Sequence, residues 1–526
     1  MPTETLPAHI RALRRKSAYP RPPREIKLIQ THISYVFLVD DEVYKLKKPV
    51  NLGFVDFTTL EKRLRDCRDE VRLNQRGCPG GVYLGVVPVT RDGESFRIDG
   101  KGEVVDYAVH MKRLPQDRMM DVLLEQDRVD FDMLGNVAAR LADLHREAET
   151  GPAITSKGGL NTLKRNWQDS FDQLRPFIGR TLGKRRFERI ESYVSDFLER
   201  EAALLRERDR DGWIRDCHGD LRSDAVCFDD AVPGGICIYD CIEFNEAFRL
   251  SDTGLDAAFL AMDLDYRGRP ELSDLFVGLY AAAIGDKQLP LLLDFYKCYR
   301  AVVRGKVESL LLNDRGVSAR QKAGARKRAR VYFELAERYA RRRKREGIVL
   351  VTGPSGSGKS VLAGVLASRL SAVLLSTDML RRELFEAAGR GTAIDAGMYS
   401  QESRARVYDE IERQTRAFIA AKRPVVIDGT YVERSQRAPI VELSRASKSR
   451  LLLVECTAPD EVIKARQRRR ESEAWTTSEG RYEVYLQQKQ RLEPATELPE
   501  TQRILIDTTT PLGTQIEAVE AKRRAV

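Results

Sequence analysis

The chain has 526 residues, with 89 Lys and Arg against 79 Asp and Glu and a formal net charge of +10. At roughly 150 residues per domain, this length suggests about three or four domains. Hydrophobic residues make up 42% of the chain, and no apolar run approaches the ~18–20 residues of a membrane helix. The composition excludes an integral membrane protein, a wholly disordered chain and a collagen-like chain. The N-terminus lacks the apolar core of a secretory signal, and we expect a cytoplasmic protein.

The excess positive charge lies in one segment. Residues 314–345 contain 13 Lys and Arg and 3 Asp and Glu, a local charge of +10, so the remainder sums to zero. The pattern predicts a basic helix over residues 318–346 that joins two units. A solvated or domain-docking helix is the first interpretation of this charge, and contact with a polyanion is the second.

The eight cysteines do not indicate a disulfide scaffold or a zinc site. They contain no CxxC pair, and only five histidines are present to assist them. We therefore expect reduced and mostly buried thiols.

The first 346 residues change from a β pattern to a helical pattern. The first 24 residues are basic and Pro-rich and predict an arm with little order. Residues 25–115 predict strands, with a hairpin turn at Asp40-Asp41 and one helix over residues 58–76. Residues 116–317 have helical periodicity, with one β-rich interruption over residues 217–245. A small β-lobe followed by a large α-lobe is the outline of an α+β, bilobal, kinase-like fold.

The pattern changes again over residues 347–526. Five short apolar runs alternate with helical stretches: IVLVTG, AVLLSTD, PVVIDGT, LLLVEC and RILIDT. Continuous apolar strands alternating with helices indicate a mainly parallel sheet that is covered on both faces. The sequence therefore predicts a five-stranded α/β domain.

A glycine-rich phosphate-binding motif, GPSGSGKS, stands between the first of these strands and the helix that follows it. Glycines let backbone N–H groups turn toward phosphates, and the N-terminus of the helix adds a positive dipole. Lysine at this spacing reaches the outer phosphates, and the serine after it binds Mg²⁺. The predicted nucleotide ligands are Gly353, Ser355, Gly356, Ser357, Gly358, Lys359, Ser360 and Val361, with Ser360 also a metal ligand.

Acidic residues follow two other strands of this domain. Asp428 ends the strand PVVID and is a candidate metal ligand, but no Glu follows it, which disfavours a pure hydrolase. Asp378 follows AVLLST, and Arg381 comes three residues later on the same helical face. The carboxylate could accept a hydroxyl proton, and the arginine could hold an anionic group of the acceptor. The alternative is that Asp378 simply caps the helix that it precedes.

A basic run, KARQRRR, extends from Lys464 to Arg470. Phosphoryl transfer needs positive charge around the transferred oxygens, which a mobile lid often supplies. Arg466 and Arg470 are the predicted nucleotide contacts, and a solvated basic helix face is the alternative.

Residues 347–510 resemble the P-loop kinase group that includes zeta toxins, polynucleotide kinases and gluconate kinases. The resemblance depends on GPSGSGKS, on Ser376-Thr-Asp-x-x-Arg381, on VVIDGTY and on the Arg-rich lid. It implies that Asp378 is the catalytic base and that Arg381 contacts the substrate. The group acts on sugars, nucleic-acid ends and small metabolites, so the acceptor stays open.

A second candidate site lies in the kinase-like region. His218-Gly-Asp220 precedes a β stretch, and Asp240 follows twenty residues after Asp220. Two carboxylates at this separation suit a base and a metal ligand. Upstream, Lys45 could bind phosphates with Glu70 holding it, but Lys47 lies on the same strand face and competes for that role.

Residues 25–345 resemble the aminoglycoside phosphotransferase family, in particular a branch fused to a C-terminal P-loop kinase domain. The resemblance depends on VYKLKKPVNLGFVDFTTLEKR, CHGDLR and DCIEFN. It implies Asp220 as catalytic base, Asp240 as Mg²⁺ ligand, and Lys45 with Glu70 as the phosphate-anchoring pair. One position departs from the family: Ala225 stands where a second metal ligand, Asn, is usual. A weak kinase, a kinase with altered metal use and a ligand-sensing relic all remain open.

The leading hypothesis is an ATP- and Mg²⁺-dependent phosphotransferase that acts on a hydroxyl, bifunctional in architecture. The acceptor is a small molecule or a nucleic acid, and we expect no membrane partner. A nucleic-acid end kinase and a nucleotide-switched regulatory protein are the alternatives.

Overall fold

The structure is a computed structural model that describes residues 6–53, 55–314, 316–341, 346–385, 401–470 and 482–525. The chain divides into two compact units. The first unit consists of Met1–Asp130, Leu144–Asp263 and Ala301–Phe333, and the second of Phe131–Asp143, Leu264–Arg300 and Glu334–Val526. Across the described ranges, no helix combines the length and apolar character that crossing a bilayer requires.

The N-terminal part is a six-stranded antiparallel sheet with one long helix. The strand order is β1-β2-β3-β6-β4-β5, and the predicted hairpin at Asp40-Asp41 joins β2 to β3. The long helix begins after Thr59, whose side chain accepts a hydrogen bond from the Lys62 N–H, as an N-cap should. The elements are α1 Ala8–Ala12, β1 Ile26–Gln30, β2 Ser34–Val39, β3 Glu42–Lys47, α2 Leu60–Gly77, β4 Tyr83–Asp92, β5 Ser95–Ile98 and β6 Glu103–Lys112.

The N-terminal segment is better ordered than its composition predicts. α1 and the residues after it bury Ile10, Leu13 and Tyr19 in the hydrophobic core that one face of the sheet contributes. The Tyr19 hydroxyl donates a hydrogen bond to the Leu13 carbonyl at 2.7 Å. A few apolar side chains among many basic ones are enough to anchor this segment, because each fully buried side chain contributes about 1.5–3 kcal/mol.

A helical region with a β-rich interruption follows, as predicted. β7 pairs with β10 and β8 with β9, both antiparallel. The basic segment forms α13, whose three aromatic residues, Tyr332, Phe333 and Tyr339, are buried. The elements are α3 Met120–Glu125, α4 Phe131–Glu147, α5 Pro152–Gly158, α6 Leu160–Leu174, α7 Lys184–Arg200, α8 Ala202–Arg210, β7 Ile214–Asp216, β8 Val226–Phe228, β9 Ile236–Ile238, α9 Glu246–Arg249, β10 Leu250–Asp252, α10 Thr253–Tyr266, α11 Pro270–Ile284, α12 Leu289–Leu310 and α13 Ala319–Arg341.

The cysteines differ in one respect from the expectation of reduced thiols. Cys78, which caps the C-terminus of α2, forms a disulfide with Cys237 of β9 across 159 residues of sequence. Spacing alone did not indicate this pair, because the fold brings the two residues together. The other six cysteines are free and buried, as expected.

The C-terminal region has the predicted α/β architecture. Its five strands are all parallel, in the order β12-β13-β11-β14-β15. The elements are β11 Ile348–Thr352, α14 Lys359–Leu370, β12 Val373–Ser376, α15 Thr377–Phe385, α16 Gln401–Ala420, β13 Val425–Asp428, α17 Arg434–Ala446, β14 Leu451–Thr457, α18 Asp460–Arg470, α19 Tyr482–Gln490, β15 Arg503–Asp507 and α20 Leu512–Ala525.

Helix α11 is part of the second unit and packs closely against α14. The contact is made by two glycines, Gly278 of α11 and Gly364 of α14. On the same faces, Asp274 accepts hydrogen bonds from Ser368 Oγ at 2.8 Å and from Arg369 Nη1 at 3.0 Å. The helix that begins in the phosphate-binding motif is therefore supported by residues far upstream in sequence.

Candidate functional site

The glycine-rich motif adopts the loop that its sequence predicts. Gly353, Gly356 and Gly358 have φ values of 141°, 84° and 85°, a region that favours glycine. A Cβ atom at Gly356 would lie 2.8 Å from Ile463 Cγ2, so glycine is also required there by space. The loop joins the carboxyl end of β11 to the N-terminus of α14, which is the arrangement that binds phosphate groups.

The polar side chains of the loop fit a nucleotide and its metal ion. The buried hydroxyls of Ser355 and Ser357 have no hydrogen-bond partner among the residues that the structure describes, which suits groups that face a bound phosphate. Ser360 Oγ donates to Asp428 Oδ1 at 3.2 Å, so the two predicted metal ligands lie side by side. Lys359 is buried at the start of α14, and Val361 follows in its first turn.

Asp428 is held in a buried polar cluster. Its second oxygen, Oδ2, accepts a hydrogen bond from Ser376 Oγ at 3.0 Å, which ties the ends of β13 and β12 together. Burial raises the pKa of Asp428, with Lys359 opposing this effect. A nearby cation stabilises the ionised form of a buried carboxylate, which supports Asp428 as a metal ligand.

Asp378 and Arg381 lie on one face of α15, as the sequence predicts, and they form an ion pair with each other. The contact of Arg381 with an acceptor substrate stays a prediction. Arg381 Nη1 donates to Asp378 Oδ1 at 2.6 Å on α15. Burial raises the pKa of Asp378, but Arg381 and Lys359 outweigh burial and lower it below its usual range. Asp378 is the second residue of α15 and lies in the first turn of that helix. The carboxylate is ionised and directed at neighbouring cations, as a proton acceptor must be.

Arg466, in the basic run of α18, lies beside the phosphate-binding loop. Arg466 donates to the Thr508 hydroxyl and carbonyl, both at 2.8 Å, and to the Gly356 carbonyl at 3.4 Å. Arg469 pairs with Asp132 at 3.3 Å. Arg466 therefore contacts the loop at the Gly356 carbonyl, and its contact with a nucleotide stays a prediction. The side chain of Arg470 lies outside the described residues.

Two glutamines that sequence reasoning missed hold the same loop. Gln488 Oε1 of α19 accepts a hydrogen bond from the Ser355 N–H at 2.7 Å, and Gln467 Nε2 of α18 donates to the Ser355 carbonyl at 3.3 Å. Both backbone groups of one loop residue are thus fixed by side chains from two helices. No motif spacing indicated these residues, because glutamine has no special role in the phosphate-binding pattern.

Two tyrosine rings lie beside the carboxyl end of β13. The rings of Tyr408 and Tyr431 meet edge to face with centroids 4.8 Å apart, and Tyr408 Oη lies 3.0 Å from Thr430 Oγ1. Tyr431 has a φ of 43°, which is unusual for an aromatic residue and common at functional sites. The sequence indicated the segment VVIDGTY, but the partner Tyr408 comes from α16.

The kinase-like region also assembles its predicted residues, and the structure distinguishes the two lysines. Lys45 Nζ lies 2.8 Å from Glu70 Oε1 and 3.1 Å from Asp240 Oδ1. Burial lowers the pKa of Lys45, but Asp240 and Glu70 raise it well above its usual range. Lys45 lowers the pKa of Asp240 to about 2. Lys45 is therefore the lysine that reaches the predicted metal ligand.

Lys47 is fully buried and is engaged by three carboxylates. Its Nζ lies 2.8 Å from Asp66 and 2.6 Å from Glu70, and it also pairs with Glu243. Burial raises the pKa of Glu243 to about 7, with Lys47 opposing. Since Lys47 has no exposed surface, we assign it a structural role. Glu70 thus holds both lysines at once.

The loop that carries Asp220 is fixed by a buried carboxylate on α10. Asp256 accepts hydrogen bonds from the N–H groups of His218 at 2.9 Å and Gly219 at 2.8 Å. The His218 ring nitrogen Nε2 donates to the Tyr239 carbonyl at 2.8 Å, one residue before Asp240. His218 therefore has a supporting role, because it connects the loops that carry Asp220 and Asp240.

Charged residues lie close to Ala225, the position where the aminoglycoside phosphotransferase family usually has an Asn metal ligand. Ala225 is buried, and Arg222 lies between Asp220 at 3.4 Å and Asp224 at 2.9 Å. Asp263 holds the adjoining turn by accepting from the Ser223 N–H at 3.1 Å and from its hydroxyl. Asp224 is therefore paired with Arg222 through Oδ2, whereas its buried Oδ1 has no hydrogen-bond partner among the described residues.

Two groups of three side chains could hold a metal ion in the part of the chain that the structure describes. One is His145, Cys217 and Asp256, and the other is Asp66, Glu70 and Glu243, which surrounds Lys47. Neither group contains Asp240, Asp428 or Ser360. Mg²⁺ commonly takes only one or two protein carboxylates together with phosphate oxygens, so the predicted metal ligands fit an ion that arrives with a nucleotide.

Known proteins resemble this chain over both regions. Residues 348–495 match the AAA domain family. The uncharacterized protein Rv2004c of Mycobacterium tuberculosis (strain ATCC 25618 / H37Rv) is 31% identical over 441 residues, 83% of this chain and 85% of that protein. The chain belongs to the same family.

Solved structures resemble each region of this family member separately. A sugar kinase from Janibacter sp. HTCC2649 covers 35% of this chain and 96% of its own, with 22% identity and a TM-score of 0.27. A choline/ethanolamine kinase family protein from Mesorhizobium loti covers 60% of this chain and 92% of its own, with 11% identity and a TM-score of 0.35. The assignment of both folds depends on the strand orders and contacts of this chain: a P-loop α/β domain preceded by a kinase-like α+β region.

Proposed function

We propose that this protein is an ATP-dependent phosphotransferase that transfers the γ-phosphate to a hydroxyl group, with the P-loop domain as its principal catalytic unit. The observation that carries the proposal is the arrangement at the carboxyl ends of β12 and β13. There Ser360 and Asp428, the proposed metal ligands, lie beside each other, and Asp378, the proposed base, is paired with Arg381. Lys359 lies close enough to lower the pKa of both aspartates. Ligands bind at this edge of open α/β sheets.

The chain's own residues divide the chemistry between them. When bound, Mg²⁺–ATP supplies the phosphoryl group and neutralises its charge, with Ser360 and Asp428 as the protein groups that would hold the ion. Asp378 accepts the proton of the acceptor hydroxyl as that oxygen forms its bond to the γ-phosphorus and ADP departs. Arg381 keeps Asp378 ionised, and Lys359 contributes positive charge beside the phosphates.

The kinase-like region is proposed as a second nucleotide site. Asp220 would be its base, Asp240 its metal ligand, and Lys45 with Glu70 its phosphate-anchoring pair. The ion pairs of Lys45 with Glu70 and Asp240 support this assignment. Because Ala225 replaces the usual Asn, Asp240 would be the single side-chain ligand of the two that the family uses. We therefore expect a lower metal affinity than two ligands would provide.

The test follows ³²P transfer from ATP to a mixture of candidate acceptors, with small metabolites and RNA in separate arms. Lys359→Ala should abolish the P-loop transfer, and Asp220→Ala should abolish any transfer by the kinase-like region. Lys522→Ala, on the partly exposed surface of α20, is the matched control and should retain activity. Wild-type transfer in both site variants would reject the proposal.

The polyanion prediction for the basic segment stays a prediction. Tyr332, Phe333 and Tyr339 are buried, so they are not available to stack on bases. Any binding of nucleic acid by α13 would depend on charge alone and would weaken steeply with salt.

A further inference from the structure

One face of α2 follows the segment that carries Asp240. Glu70, Asn74 and Gly77 lie at helical spacings of four and three residues, which places them on a common face, and Cys78 is the C-cap that follows. Glu70 reaches Lys45, and Cys78 is joined to Cys237 of β9. A Cβ atom at Gly77 would lie 2.2 Å from the Ile238 carbonyl oxygen, so the helix approaches the backbone of β9 directly.

Asn74 forms a hydrogen bond with the backbone of the residue that follows Asp240. Its Oδ1 accepts a hydrogen bond from the Cys241 N–H at 2.8 Å, and its Nδ2 donates to the Glu70 carbonyl at 2.8 Å. Asn74 is 1% exposed. Water therefore cannot replace the hydrogen-bond partners of its Oδ1 and Nδ2 atoms unless the surrounding residues move apart. One buried amide thus connects the residue after the predicted metal ligand to the residue that holds the phosphate-anchoring lysine.

The backbone at Asp240 needs such a restraint. Asp240 has a φ of 63°, in the left-handed region that non-glycine residues rarely occupy. Two hydrogen bonds hold the residues that follow it: Cys241 N–H to Asn74, and Ile242 N–H to the His218 carbonyl at 3.0 Å. The buried ion pair of Lys47 and Glu243 restrains the residue directly after Ile242.

We propose that Asn74 is a positioning residue for the metal site of the kinase-like region: through the Cys241 amide it holds Asp240 in its left-handed conformation, with its carboxylate on Lys45. This inference rests on the proposed nucleotide site of that region. Asn74 touches neither nucleotide nor metal in this scheme, and it acts only through the backbone. Loss of Asn74 therefore weakens metal binding while the base Asp220 and the Lys45–Glu70 pair remain in place.

The test uses the full chain with Lys359→Ala, so that Mg²⁺-dependent binding of a non-hydrolysable ATP analogue reports on the kinase-like region. In this background, Asn74→Leu, of similar size but without the acceptor, should raise the Mg²⁺ concentration for half-maximal binding about tenfold, or about 1.4 kcal/mol. Asn74→Asp keeps an oxygen that accepts the Cys241 N–H and should restore at least half of this loss on a logarithmic scale.

Asp106→Asn is the matched structural control. Asp106 accepts a hydrogen bond from Arg63 of α2 at 2.8 Å, near the opposite end of the same helix. This variant should lower the melting temperature without changing the Mg²⁺ requirement. Equal shifts in Asn74→Leu and Asp106→Asn, or no shift in Asn74→Leu, would overturn the inference.

A crystal structure of the Asn74→Leu protein gives a second readout that does not depend on nucleotide. The expected result is that Asp240 leaves the left-handed region and loses its contact with Lys45. A retained φ near 63° and a retained Lys45 contact would overturn the inference whether or not the site binds nucleotide. If the Lys359→Ala parent binds no analogue, the proposed second nucleotide site fails separately from the role of Asn74.

Discussion

Replacement of Gly278 by alanine tests how closely α11 supports the P-loop helix. A Cβ atom at this position would lie 2.8 Å from the Gly364 carbonyl carbon, 3.0 Å from Gly364 Cα and 3.1 Å from the Val365 nitrogen. Non-bonded carbons prefer about 3.5–4.0 Å. Since all three atoms belong to the backbone, no side-chain rotation relieves the contact, and the helices must separate.

The expected change in the free energy of unfolding is the balance of two effects. Alanine gains about 1 kcal/mol over glycine in a helix interior. Overpacking of a close contact costs about 1–3 kcal/mol, and the separation also weakens the hydrogen bonds from Ser368 and Arg369 to Asp274, at about 1–3 kcal/mol for bonds to a charged group. We expect a net destabilisation of about 1–5 kcal/mol, together with weaker ATP binding, because α14 begins at Lys359.

Gly324→Ala is the matched control. Gly324 also lies inside a helix, α13, but the nearest atom to its added Cβ is the flexible Arg328 Nη1 at 3.3 Å. The same substitution should therefore stabilise that helix by up to about 1 kcal/mol. Hydrogen exchange measured on peptides of α14 and α13 in the full chain gives the two local stabilities. If both alanine variants are stabilised equally, the close approach of α11 and α14 is refuted.

Three further results are expected. Asp378→Asn should lower phosphoryl transfer about 10²–10⁴-fold while ATP affinity measured by calorimetry is retained, and near-normal turnover would exclude Asp378 as the base. Arg381→Leu should raise the pKa of Asp378 and move the acid limb of the kcat profile to higher pH; an unchanged limb would contradict the pairing. Because the pKa of Glu243 is raised to about 7 in the folded chain, stability should fall as pH rises from 4.5 to 7, and Glu243→Gln should remove this slope in denaturant titrations, whereas an identical slope would exclude Glu243.

Much of both sites could be predicted from the sequence because their motifs are local. The loop from Gly353 to Ser360 is contiguous, and its glycines determine the backbone conformation that turns N–H groups toward a phosphate. Asp378 and Arg381 are three residues apart on one helix, so their pairing follows from helical geometry alone. The second constellation, Lys45, Glu70, Asp220 and Asp240, is spread along the chain. The sequence indicated it through the order of these residues and the resemblance to the aminoglycoside phosphotransferase family.

The tertiary structure decided what depends on contacts between distant residues. Lys45 and Lys47 are equivalent by alternation along β3, and only the position of α2 and Asp240 shows that Lys45 reaches the site while Lys47 is buried. Arg466 forms hydrogen bonds with Thr508 at the carboxyl end of β15, and the residue spacing within α18 does not predict this partner.

The same reason applies to the supports around the sites. Asn74 and Gln488 have no motif, since their importance comes from one backbone amide each, on loops far away in sequence. The contact of Gly278 with Gly364 likewise assigns α11 to the unit that contains the P-loop. Local spacing determined which chemistry this chain carries, and packing between remote segments decided which residues hold that chemistry in place.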